Sequence, residues 1–229
     1  MTALPVLHID AHMLVIDKPA GLAVHAGPKT PRSLDDRLGE LAFGFRRLPQ
    51  PAHRLDRDTS GCLVLARHPK AAKRLGQLFA AGAVAKTYLA VLDGIPAEPE
   101  GRIAAPLAKV SSAEAGWRMV VGEGGKPAAT RWRLLAAHGG QALVAFFPET
   151  GRTHQIRVHA AHALAPIAGD PVYGGGKGPM RLHSAGLVIP YREDAPVSVS
   201  AALPADWPLW AREAAANEKG PPFRATPSA

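Results

Sequence analysis

"HRLDRDTSGCLVLA", residues 53–66, joins a knot of charge to an apolar run. His53, Arg54, Asp56, Arg57 and Asp58 fall within six residues, and the turn formers Thr59, Ser60 and Gly61 separate them from the apolar stretch 62–66. An unbroken apolar run bounded by turn residues reads as a buried strand. A charged loop at the mouth of such a strand belongs on the rim of a cleft, carried by a rigid sheet. The two acids are expected to diverge, so that at most one enters a given cleft. Taken alone, both could equally be capping or ion-pairing groups.

The flanking chain gives that strand a context. "MLVIDKPAGLAV" (13–24) reads as two short strands about a Lys-Pro-Ala-Gly turn, and "SLDDRLGELA" (33–42) as a helix capped by Ser33. "HPKAAKRLGQLFAAG" (68–82) has proline at its start and glycine at its end, the asymmetry of a helix. Strands are expected at 86–94, 117–121, 129–137 and 141–148, the last three successive and antiparallel, with a glycine-containing hairpin between the last two. A helix is expected from Thr153 as N-cap, strands near 181–189 and 196–201, and a helix near 206–218. This alternation predicts an α+β fold, a mostly antiparallel mixed sheet with flanking helices. Residues 1–218 form one expected domain, and 219–229 an expected disordered tail.

With 229 residues, 47% of them apolar, the chain can bury a real core. No apolar run approaches the ~18 residues that cross a membrane, and the start lacks a signal-peptide pattern. A single cysteine, Cys62, forbids an internal disulfide, and a cytoplasmic protein is expected. The net charge of +8 is uneven: residues 29–86 carry 12 Lys and Arg against 5 Asp and Glu. Such a segment suits a polyanion partner, and equally a solvated surface.

"TGRTHQIRVH" (150–159) is the second dense stretch. On a helix from Thr153, His154 and Arg157 lie three apart and share a face. His154, His159 and His162 invite a metal reading, but the 154/159 spacing suits one helix face poorly and no acid lies close by; packing or RNA contact is favoured. "GGGKG" (174–178) lacks the phosphate-loop pattern, and Ser60 lacks the nucleophile-elbow pattern. Cys62 is expected to be buried rather than nucleophilic.

Taken together, the chain resembles the RluA-type pseudouridine synthase family. "DKPAGLAVHAG" (17–27), "HRLDRDTSG" (53–61), "KTYLAVLDG" (86–94) and "TGRTHQIRVHAAHALAPIAGDPVYG" (150–174) match four blocks of the family in order. The resemblance implies a pseudouridine synthase fold with an active-site cleft across its sheet. It places the catalytic aspartate on Asp56, the active-site tyrosine on Tyr88, the ion-pairing basic residue on Arg157 and the base-displacing arginine on Arg54. His53, Arg57, Arg152 and His154 are assigned to RNA contact, and Asp58 to support of the loop. It implies an isomerase that acts on uridine in RNA, ribosomal or transfer, with neither metal nor organic cofactor. A monomer is the default for a compact enzyme acting on a large RNA, and no membrane association is expected. A non-catalytic RNA-binding or ribosome-assembly protein on the same fold is the alternative. A metal-dependent hydrolase using Asp56, Asp58 and the histidines is a more distant one.

Overall fold

A computed structural model describes residues 3–27, 30, 32–112 and 116–217. The expected tail, 219–229, lies outside the described residues. In chain order the elements are β1 (Val6–Ile9), β2 (Met13–Lys18), a 3-10 helix (Leu34–Leu41), β3 (Gln50–Pro51), β4 (Ser60–Ala66), α1 (Pro69–Ala80), β5 (Ala85–Leu92), β6 (Glu100–Ala104), β7 (Leu107–Ser112), β8 (Gly116–Val121), β9 (Ala129–His138), β10 (Gln141–Pro148), α2 (Gln155–Ala163), β11 (Leu182–Ile189), β12 (Val197–Ser200) and α3 (Leu209–Asn217). The fold is α+β with mostly antiparallel strands and few helices.

Two compact units divide the described residues: 3–86 with 183–202, and 87–182 with 203–217. In the first, β4 is the central strand. It pairs antiparallel with β2 and β3 and parallel with β11, and all seven of its residues are buried. Gly61 makes the parallel pairing possible: its φ is +104°, and a Cβ there would overlap the Ser184 carbonyl. α1 starts with His68 as N-cap, its Nδ1 accepting from the Ala71 amide, and Pro69 in the first turn. Its buried face, Ala71, Leu75 and Leu78, joins Val15, Val64, Leu187 and Ile189 in one core cluster.

In the second unit β5, β10, β9 and β6 pair antiparallel in that order, and β7 pairs with β8. The β9–β10 hairpin turns on Gly139 and Gly140, both at positive φ, the geometry that matches strand twist. Leu92, Trp132, Val144, Phe146, Ile156 and Met180 belong to its core cluster.

Several expectations need correction. Residues 22–24 form no strand; Ala23 makes only an isolated bridge with Ser33. The capped segment at 33–42 is a 3-10 helix, and of the capping box only one half forms, Asp36 accepting from the Ser33 amide at 2.8 Å. β8 pairs with β7 and not with β9.

Candidate active site

The charged loop owes its shape to a turn. Thr59 N–H donates to the Asp56 carbonyl at 3.1 Å, so residues 56–59 close on themselves. The expected divergence of the two acids therefore fails at its premise. Residues two apart on extended backbone share a face, and here the chain turns instead. Asp58 lies against Arg57, whose Nε and Nη2 donate to its two oxygens at 2.9 and 3.0 Å. Asp56 is half-buried, while Arg54 and Arg57 are exposed.

Beneath the turn sits a residue to which sequence reasoning gave no role. Lys18, at the end of β2, is fully buried. Its Nζ donates to the carbonyls of Pro19, Leu22 and Arg57 at 2.9, 2.7 and 3.0 Å, using all three ammonium protons. The Arg57 carbonyl also accepts from the Gly21 amide at 2.9 Å. The Lys-Pro-Ala-Gly turn thus clamps the carboxylate loop at the residue after Asp56. Burial pushes the Lys18 ammonium down to about 8, against the opposing charges of Asp58, Asp56 and Asp17. The sequence gives no cue to its burial, since Asp17 precedes it and a turn follows.

His53 anchors the other end of the loop. Its Nε2 accepts from the Val64 amide at 3.0 Å, and its ring stacks on Phe79 at 4.3 Å. Burial, then the charge of Lys86, pushes its pKa down to about 3, so it is neutral. Ser60 is held in the same way, its hydroxyl 2.8 Å from Nδ1 of buried His183. Cys62 is buried, its thiol pushed up to about 12 by burial and by Asp17.

In the second unit Tyr88 lies on β5 opposite Phe146 and packs against that unit's core. Arg157 lies in α2 and is buried. Its Nε and Nη2 bind the two oxygens of Asp170 at 2.7 and 2.8 Å. Asp170 also accepts from the Val172 and Tyr173 amides. Burial works to raise its carboxyl, but Arg157 and these amides outweigh it and hold the group below the usual carboxylate range. Sequence reasoning missed Asp170. Its cue was Gly169-Asp170-Pro171, a glycine at φ +74° followed by an acid that folds back on the next amides.

α2 begins one residue later than expected. His154 is its N-cap, in the left-handed region at φ +54°. Its ring stacks on Trp117 at 5.2 Å, and its Nδ1 lies 2.9 Å from the Tyr173 hydroxyl. That hydroxyl accepts from the Met119 amide, and the Arg157 guanidinium packs over the Tyr173 ring at 5.1 Å. Arg152 is exposed, its Nε donating to the Pro127 carbonyl. His159 bridges Thr130 Oγ1 and the Ala105 carbonyl through its two nitrogens. Among the described residues no His, Cys, Asp and Glu cluster has the arrangement of a metal site.

Residues 12–162 match the model of the RNA pseudouridylate synthase family. An uncharacterized RNA pseudouridine synthase of Zymomonas mobilis is 52% identical over 204 residues, 87% of this chain and 93% of that protein. Ribosomal large subunit pseudouridine synthase D of Xanthomonas campestris is 41% identical over 75% of this chain and 52% of its own length. The chain thus spans about half of that longer relative. The solved structure of human RNA pseudouridylate synthase domain containing 4 superposes with a TM-score of 0.75 at 27% identity, over 88% of this chain and 89% of that one.

Proposed function

We propose that this chain, which belongs to the RNA pseudouridylate synthase family, of the RluA type, and so is an isomerase acting on RNA, converts uridine in structured RNA to pseudouridine with Asp56 as its catalytic carboxylate. The observation that carries the assignment is the Asp56 turn: a half-buried carboxylate on a loop pinned from below by a buried cation. The reaction breaks the N1–C1′ glycosidic bond, turns the uracil and forms a C5–C1′ bond. The C5 proton leaves and N1 gains one, so the atoms balance without a co-reactant. An ionised carboxylate serves the electron-poor centre of this reaction. Lys18 sets positive charge beneath the loop, and Arg157 carries over the family's role of cationic partner. Tyr88 stacks on the uracil and assists loss of the C5 proton. Arg54 fills the place of the extruded base. Arg57, Arg152 and His154 contact the RNA, whereas His53, engaged with the Val64 amide, is assigned to the loop.

Ribosomal large-subunit RNA is the first substrate to test, since relatives carry that name, and transfer RNA the second. The enzyme is proposed to act in the cytoplasm as a monomer. RNA tritiated at C5 of uridine is the assay. The wild type should release label. Asp56→Asn should lose about 10³-fold or more of that rate while still binding RNA. Dead Asp58→Ala beside active Asp56→Ala would overturn the assignment. A wild type that binds RNA and releases no label from any of it would favour the non-catalytic alternative.

A further inference from the structure

The loop that follows the 3-10 helix, "FGFRRL" (43–48), lies outside all four motif blocks and exposes every one of its residues. Phe43, Phe45 and Leu48 are 51%, 40% and 53% exposed. Single exposed apolar residues are ordinary, but three within six residues, interleaved with Arg46 and Arg47, are not. Phe43 also sits at φ +44°, a backbone conformation that bulky residues rarely adopt.

The loop is nonetheless well held. Arg67, itself buried, donates from Nη1 to the Asp10 carbonyl at 2.6 Å and from Nη2 to the Phe43 carbonyl at 3.4 Å. Its guanidinium stacks 3.7 Å from the Phe45 ring centroid. Phe45 N–H closes a turn on the Ala42 carbonyl at 3.0 Å. A buried arginine therefore keeps two aromatic rings at the surface, one of them, Phe43, in a backbone conformation that glycine would adopt without strain. Water-exposed rings on a fixed loop are what a nucleobase needs for stacking, and neighbouring arginines are what its phosphates need.

We propose that residues 43–48 are a docking platform for single-stranded RNA flanking the modified uridine, with bases on Phe43 and Phe45 and phosphates on Arg46 and Arg47. The surplus of positive charge in residues 29–86 favours RNA over a protein partner. The platform rests on the proposed function only for naming that RNA as substrate.

The test is binding, which does not need the chemistry. Fluorescence anisotropy would follow a fluorescein-labelled 20-nucleotide oligouridylate at several salt concentrations, with the full chain. Phe43→Gly should bind about tenfold more weakly, as loss of a stacked base implies. Its thermal midpoint should be unchanged or higher, because the strained φ is relieved. A ring that served only the fold would instead lower the midpoint. Arg46→Ala with Arg47→Ala should reduce the salt slope by about 1.4, two phosphate contacts of a single strand. Equal binding by the wild type and both platform variants overturns the proposal and leaves the patch to a protein partner. A wild type that does not bind the oligomer overturns it as well. Tritium release tests the function independently of either result.

Discussion

Lys18 makes three hydrogen bonds and does so as an ammonium, because a neutral amine has only two protons to give. Its pKa of about 8 therefore puts the clamp under pH control. Above about pH 8 the charge that faces Asp56 is lost, and kcat should fall. Stability runs the other way. An unfolded lysine keeps its proton to about 10.5, so between about 8 and 10.5 the unfolded chain binds more protons than the folded one, and this group's contribution rises with pH. An alkaline fall in kcat without a fall in urea midpoint is the expected pair of results. Lys18→Met should run at a lower plateau and lack that limb. A wild-type kcat flat to pH 9.5 would refute the role. No property of the sequence "DKPAG" separates this lysine from an exposed one; its burial follows from the pairing of β2 with β4, which is a long-range fact.

The start of α2 shows why elements are read more easily than their ends. A helix after "TGRTH" was legible from the sequence, but its N-cap is His154 and not Thr153. Gln155 accounts for the shift. Its Oε1 accepts from the Thr150 hydroxyl and the Arg152 amide, and its Nε2 donates to the Ala129 carbonyl and Thr130 Oγ1. All four of its bonding positions are filled inside the protein, which ties the loop to β9. Gln155→Ala should cost about 2–4 kcal/mol in urea denaturation, by orphaning partners on two elements. α1 and the β9–β10 hairpin could be read because proline, glycine and apolar period agree there. β1, β6 and β7 were missed for the opposite reason. β6, "EGRIA", buries only Ile103, and "LAKVSS" of β7 is polar over half its length, so neither carries the alternation of a half-buried strand.

For the whole molecule, the fold class was carried by motif spacing and alternating patterns. The ligation of its charged groups was not, because it joins residues far apart in sequence. Asp170 and Arg157 are 13 residues apart, Ser60 and His183 123. Two histidines set the acid limit of the fold. His53 and His183 are held neutral, with pKa values of about 3 and 4, whereas in the unfolded chain both titrate near 6.5. Unfolding therefore takes up two protons, and their contribution, complete above about pH 6.5, is lost as pH falls toward 4 and then 3. Urea midpoints should decline from pH 6.5 to 5, and His53→Gln with His183→Asn should decline less steeply. Gln at 53 keeps an acceptor for the Val64 amide.

Cys62 has a practical side. Its sulfur is buried in β4, and its thiol, near 12, holds almost no thiolate at neutral pH, so native protein should be silent toward maleimides and aromatic disulfides. A cysteine introduced at Arg46 or Arg47 would then be the one fast-reacting thiol on the chain. A fluorophore or cross-linker placed there would report on bound RNA without any need to remove the native cysteine from the strand on which the Asp56 loop stands.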